Sequence, residues 1–289
     1  MLSFPFLISA QSNLSLKDNL LSDIKNLTGS VNGDFAVVYM NLTTDEKIFF
    51  NEKENFHAAS TMKTPVMIEV FRQAESGKFN MSDSILVKNE FKSIVDSSLF
   101  SMDIADDSGE NLYKYLDKKR TIYDLTYAMI TVSSNLATNI LIDLAGAANV
   151  MNTMKEIGAD DIQVLRGVED IKAYRKNMNN TTTAYDLAVV FKSIWNCTVT
   201  NQQSCDEMMK ILLDQKFNDI IPAKLPSEVK VAHKTGSITG VLHDSGIVIL
   251  PDGGSYILVT LSKNLKDEDS GRKVLQNISK LVYDYYIKN

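Results

Sequence analysis

The chain has 289 residues, with 30 Lys+Arg against 36 Asp+Glu and a formal net charge of −6. That balance leaves no electrostatic footprint for nucleic acid or an anionic membrane surface. With 44% hydrophobic residues, the composition is that of a globular protein long enough for one large domain or two intimate ones.

In chain order, Met1 to Gln11 is a short apolar run ending in small residues, which reads as an export signal without its basic leader. No later stretch approaches the roughly 18 uninterrupted apolar residues of a membrane span. Leu14, Leu16, Leu20, Leu21, Ile24 and Leu27 lie on one helix face, and the helix stops near Gly29. Phe35 to Leu42 and Lys47 to Phe50 are β-rich runs around Thr43-Thr44-Asp45-Glu46 and read as a hairpin. From Ala58 to Leu213 the spacing turns helical. It predicts helices over 61–74, 122–131, 136–144, 183–195 and 207–213. Strands return at 229–234, 246–250 and 255–261, the last two joined through Pro251-Asp252-Gly253-Gly254. Residues 273–287 close the chain as an amphipathic helix. The expected fold class is α+β: an antiparallel sheet with the terminal helices on one face (residues 13–57 and 214–289) and an inserted all-helical lobe (58–213), after a signal remnant over 1–12.

Chemistry concentrates in three short strings. Ser60-Thr61-Met62-Lys63 opens an apolar helix that continues through Val66, Met67, Val70 and Phe71. A hydroxyl there faces unpaired N–H groups and the positive end of the helix dipole, and Lys63 falls on the same helix face. A lysine among apolar neighbours has a lowered pKa and can act as a base. Serine three residues before lysine is a weak signal alone, since Ser22–Lys25, Ser227–Lys230 and Ser270–Lys273 share it on polar or loop stretches. The bland reading of Ser60 is a helix cap.

Ser133-Ser134-Asn135 lies between two strongly apolar helices, either as a capped turn or as groups aimed into a cleft. Lys234-Thr235-Gly236-Ser237 ends a strand. Gly236 lets a ligand approach the backbone, although a strand lysine can equally guard a sheet edge against aggregation. The chain has three histidines (His57, His233, His243), and Cys197 and Cys205 lack metal-ligand neighbours, so no metal is expected. The two cysteines either close a small loop, contributing about 2–3 kcal/mol in an oxidising compartment, or remain free thiols.

The three strings in this order match the serine-x-x-lysine, serine-x-asparagine and lysine-threonine-glycine set of penicillin-recognising serine hydrolases. The chain resembles a class A β-lactamase, or a close relative, over nearly its whole length. Asn139 stands at the family spacing after the serine triplet, and Asn180-Thr181-Thr182 resembles the end of the family's omega loop. The resemblance implies Ser60 as nucleophile on the lactam carbonyl and Lys63 as an acceptor of its proton. It gives Ser133, assisted by Lys234, the relay of a proton to the departing nitrogen. The backbone N–H groups of Ser60 and Ser237 would form the oxyanion hole. Asn135 would hold the substrate's side-chain amide, and Lys234, Thr235, Gly236 and Ser237 would line the site of its carboxylate. The implied partner is a small β-lactam, taken by a periplasmic or secreted monomer without cofactor.

Three departures bear on turnover. The candidate for the deacylating glutamate is Glu169, in Arg166-Gly167-Val168-Glu169-Asp170, but Ile171-Lys172-Ala173 follows where the family has a leucine-asparagine pair. Asp170 is the competing carboxylate, and both acids could be ordinary loop residues. The strand after the lysine-threonine-glycine strand carries Leu242-His243-Asp244-Ser245-Gly246 and no arginine, which leaves His243 or Arg272 for a substrate carboxylate. Ser134 replaces the aspartate usual in the second motif, a position more structural than chemical. A D,D-peptidase or esterase-like hydrolase, and a penicillin sensor that stays acylated, share the same first half-reaction.

Overall fold

The computed structural model describes residues 5–289, with side chains from Leu16 onward. The signal-like stub over 1–12 therefore lies outside the residues whose side chains are described. The fold is an α+β sandwich around a five-stranded antiparallel sheet. Its strands are β1 (Asp34–Asn41), β2 (Lys47–Phe50), β3 (Lys230–Ile238), β4 (Val241–Ile249) and β5 (Ser255–Lys263), in the spatial order β2-β1-β5-β4-β3. The N-terminal hairpin forms as expected, with Val37 opposite Phe50 and Met40 opposite Lys47. Asn41 Oδ1 folds its turn by accepting the N–H groups of Thr43 and Thr44 at 2.8 and 3.0 Å.

Alternation along the strands divides the side chains between two layers. Phe35, Val37, Tyr39, Tyr256 and Leu258 pack with Leu20 and Ile24 of α1 (Pro5–Thr28) and with Val274, Leu275, Ile278 and Val282 of α9 (Glu268–Tyr286). Ala36, Val38, Met40, Ile257, Val259 and Leu261 face the other way, into the helical layer. Every residue of β5 except its last is buried, because helices cover both faces of this central strand.

The helical layer holds α2 (Lys63–Glu75), α3 (Ile122–Thr131), α4 (Asn135–Ala145), α5 (Ala147–Glu156), α6 (Ile171–Arg175), α7 (Ala184–Trp195) and α8 (Gln202–Leu213). Caps explain where most of them start. Thr121, Ser134, Asp170, Thr183 and Asn201 each accept the backbone N–H of the third residue of the following helix. Cys197 and Cys205 are joined in a disulfide between the end of α7 and α8. Helix α8 begins five residues before the predicted 207 and α9 five before the predicted 273, because their first turns are polar and lack the apolar spacing. Strand β4 extends back from the predicted 246 to Val241. Its polar His243-Asp244-Ser245 run is fully buried and hydrogen-bonded, so alternation could not reveal it.

Candidate active site

Ser60 lies on a sharp turn. Ala59–Met62 forms a 3-10 turn that runs directly into α2, and neither segment is capped by a side chain. Ser60 is thus not the helix cap of the bland reading. Ala59 adopts φ +46°, a left-handed conformation that costs a non-glycine residue about 1–2 kcal/mol. Hydrogen bonds hold it there. The Ala59 N–H donates to His57 Nδ1 at 3.0 Å, and Thr61 donates through N–H and Oγ1 to Ala58 O at 3.0 and 2.6 Å. The edge strand β3 presses against this turn at Gly236, where a Cβ would stand 3.1 Å from Ser60 N and 3.1 Å from Thr61 Cγ2. A side chain there would fit only if the Ser60 turn gave way by a few tenths of an ångström.

The two motif lysines meet at one hydroxyl. Lys63 Nζ donates to Ser133 O at 2.8 Å, Ser133 Oγ at 3.2 Å and Asn135 Oδ1 at 2.8 Å. Lys234 Nζ donates to the same Ser133 Oγ at 3.0 Å and to Thr235 O at 2.9 Å. Both lysines are 0% exposed, so Lys234 is no solvent-facing guard of the sheet edge. Burial brings the Lys63 pKa down from 10.5 to about 7, against the opposing charges of Asp107 and Glu169. Burial also holds Lys234 well below its ordinary value, helped by the charge of Lys63 and opposed by Asp244. Ser133, whose hydroxyl meets both amines, adopts the left-handed φ of +55°. The three hydrogen bonds of Lys63 go to Ser133 and Asn135, and none goes to Ser60.

Glu169 joins through Asn135, whose Nδ2 donates to Glu169 Oε1 at 2.6 Å while its Oδ1 accepts from Lys63. One amide thus bridges lysine and glutamate. Burial raises the Glu169 pKa, and the hydrogen bond from Asn135 opposes that rise. Asp170 points elsewhere. It is buried, caps α6, and accepts from Ser93 Oγ at 3.0 Å and the Ile94 N–H at 2.9 Å. The two carboxylates, adjacent in sequence, therefore divide into a site group and a loop tie.

The Glu169 loop is held from both ends. Asn139 Oδ1 accepts the Val168 N–H at 2.7 Å and its Nδ2 donates to Val168 O at 3.0 Å. A Cβ on Gly167 would fall 2.2 Å from Asn139 Oδ1, so this contact demands glycine. Asn180 accepts the Leu165 N–H at 2.8 Å and donates to Arg166 O at 2.9 Å. Glu169 itself is left-handed at φ +62°.

A cleft of about 520 Å³ opens over these groups, with Ser60, Ser133, Asn135, Thr235, Gly236 and Ser237 in its walls. Glu169 is not among its lining residues and reaches them through its hydrogen bond from Asn135. Asp107, Phe217 and Asp219 also line the cleft and escaped the sequence reading, because they lie in loops without periodicity. His243 lines it too, but its Nε2 engages His57 O at 2.8 Å, its Nδ1 lies 2.8 Å from Leu242 O, and burial lowers its pKa to about 4. It is a neutral structural ring, not a cation. Arg272 reaches the cleft from α9 and pairs with Asp219.

The sequence model of the β-lactamase enzyme family matches residues 19–286. The chain is 22% identical over 284 residues to the β-lactamase VEB-1 of Pseudomonas aeruginosa, covering 93% of this chain and 91% of that protein. It is 24% identical to an imipenem-hydrolysing β-lactamase of Enterobacter cloacae, covering 91% and 88%. Among solved structures, PBP-A superimposes with a TM-score of 0.81 at 26% identity, covering 94% of this chain and 97% of that one. The extended-spectrum β-lactamase TLA-1 gives a TM-score of 0.81 at 21% identity, covering 93% and 98%.

Proposed function

The chain belongs to the β-lactamase enzyme family, and from that premise we propose that it is a class A serine β-lactamase working through an ester on Ser60. The observation that carries the reading is the convergence of the two buried lysines on Ser133 Oγ, at 3.2 and 3.0 Å, beside the cleft that Ser60 lines. Ser60 Oγ attacks the lactam carbonyl and passes its proton to Lys63, whose pKa near 7 lets it hold or release one at neutral pH. Since Lys63 makes no hydrogen bond to Ser60 in the free protein, its amine turns from Asn135 or Ser133 to do so, a tightening that free enzymes commonly need. The oxyanion is received by the Ser60 and Ser237 N–H groups, where losing one donor costs about 10²–10³ in rate. Ser133, between the lysines, delivers a proton to the ring nitrogen as the C–N bond breaks. Water activated by Glu169 then hydrolyses the ester.

In this reading Thr235, Gly236, Ser237 and Lys234 receive the substrate carboxylate, and Asn135 receives the side-chain amide. The partner is a β-lactam of unspecified class. A periplasmic or secreted location accords with the Cys197–Cys205 disulfide, since such bonds persist in oxidising compartments.

A second reading, a D,D-peptidase-like hydrolase or penicillin sensor that acylates and releases slowly, draws support from Glu169 bonding to Asn135 and not lining the cleft itself. It also accords with the likeness to PBP-A, one similar structure being an acyl-enzyme complex of a PBP-A mutant with penicillin G at a TM-score of 0.82.

One experiment separates the two. Purified protein is mixed with a chromogenic cephalosporin, and colour and intact mass are followed together. The β-lactamase reading expects steady turnover, with Glu169→Gln trapping an adduct on Ser60 and slowing release by about 10²–10⁴. A single burst in the wild type selects the slow-release reading, and absence of any adduct overturns both.

A further inference from the structure

The second motif has no acid of its own, yet a buried carboxylate sits where one would act. Helix α4 starts at Asn135, so its first N–H groups have no partner within the helix. Asp107 comes from a separate loop, between the 3-10 turns at Ile104–Asp106 and Glu110–Tyr115. It is 5% exposed. Its Oδ1 accepts the N–H groups of Asn135 at 2.9 Å and Gly109 at 2.7 Å. Its Oδ2 accepts the Leu136 N–H at 2.8 Å and lies 3.5 Å from Ser134 Oγ. The loop fits this turn closely, since a Cβ on Gly109 would stand 2.3 Å from Ser134 Cβ.

Ser134 supplies only a neutral cap, its Oγ accepting the Ala137 N–H at 3.2 Å. The turn that Asp107 clamps is the one whose Ser133 and Asn135 hold the Lys63 amine. We infer that Asp107 is the positioning residue of the Ser133–Asn135 turn, a carboxylate delivered from a remote loop in place of an acid at position 134. The inference rests on the proposed Ser60–Lys63 acylation for its kinetic side only.

The groups around Asp107 fix the expected pH behaviour. Asp107 is the largest opposing charge that raises Lys63, ahead of Glu169. It also raises Glu169, together with Asp106. The buried phenol of Tyr113 is pushed upward by burial and by the same carboxylate. Removing the charge at position 107 therefore lowers the pKa of Lys63 and moves the acid limb of acylation to lower pH. Removing a merely structural group would slow acylation at every pH and leave the limb in place.

The test is a cycle of four proteins: wild type, D107N, S134D and the double variant D107N/S134D. Acylation of Ser60 by a penicillin is timed by intact mass across pH, and melting temperature is measured for each. D107N should acylate about 10²-fold more slowly, the scale of a misplaced catalytic group, with its acid limb displaced downward in pH. S134D should be harmful in the wild type, where two carboxylates share one helix end, and beneficial in D107N, where it restores the missing acid. That reversal of sign is the decisive readout. If D107N alone does not fold, recovery of folded, acylating protein in the double variant supports the proposal equally, and failure to recover overturns it. An unchanged rate and limb in D107N, or equal harm from S134D in both backgrounds, also overturns it. If no penicillin acylates the wild type, the functional reading fails instead, and the sign of the S134D effect on melting temperature still decides the role of Asp107.

Discussion

On the face of the sheet covered by α1 and α9, the buried side chains are mostly apolar, among them Phe35, Val37, Tyr39, Leu258, Leu275, Ile278 and Val282, and the buried polar ones are paired, as His233 is with Asp244 and Ser279 with Ile221 O. Around the cleft, 0% exposure belongs instead to Lys63, Lys234 and His243. The first layer gains free energy from burial, at roughly 25 cal/mol per Å² of apolar area. The second loses it, because burying a polar or charged group is unfavourable unless every valence is met. Among the described residues, three of the ten left-handed non-glycine ones, Ala59, Ser133 and Glu169, belong to this region. The lesson is a division of labour within one fold: the apolar layer and the helical core stabilise, and the cleft uses part of that stability to hold amines dehydrated and hydroxyls on strained turns.

The sharpest test of this contrast exchanges one residue in each region. Ser60→Ala should abolish the covalent adduct and lower turnover by at least about 10⁴, while leaving the melting temperature nearly unchanged. Ile278→Ala, in the terminal-helix layer, should do the reverse. It should lose about 2–5 kcal/mol of unfolding free energy, read by denaturant titration, with normal turnover per folded molecule. Activity loss in folded Ile278→Ala would mean that the two layers are not separable.

The next effect is in pH. If Lys63 is the base of acylation, kcat/KM should rise with pH through about 7, as its ammonium loses a proton. The same group links to stability. Its folded pKa lies below its ordinary 10.5, so the fold penalises the charged form. That penalty is full below about 7 and is relieved as pH rises from there toward 10.5. Lys63→Met should flatten this part of the stability profile. A wild-type acid limb that persists in Lys63→Met would assign proton removal to another group, with Glu169, whose pKa is raised by burial, as the next base at hand.

How much of this was readable in the chain follows the same division. Helix α3 falls where its periodicity places it, at Ile122–Thr131, and the N-terminal hairpin pairs as its alternation predicts. Apolar layers write themselves into a sequence through period. The candidate site was legible differently: Ser60, Lys63, Ser133, Lys234 and Gly236 were singled out because three short strings match a family pattern, and the fold brings them to one place. Asp107 could not be found that way. It sits in Asp106-Asp107-Ser108-Gly109, a stretch indistinguishable from an exposed turn, and only the folded chain brings it to the start of α4. Between Glu169 and Asp170 the sequence favoured Glu169 through the family resemblance alone, and where the backbone turns each acid was visible only in the fold.

The smallest effect compares one device in both settings. Thr183 caps α7 by accepting the Asp186 N–H at 3.1 Å, and Ser134 caps α4 by accepting the Ala137 N–H at 3.2 Å. Loss of such a cap costs about 1 kcal/mol. Thr183→Ala should show that full cost, a fall of about 2–4 °C in melting temperature for a chain of this size. Ser134→Ala should show less, because Asp107 still accepts from the Asn135 and Leu136 N–H groups at the same terminus. An equal loss from both substitutions would mean that the borrowed carboxylate adds nothing to the cap, and that the cleft turn is held by packing in the way the apolar layers are.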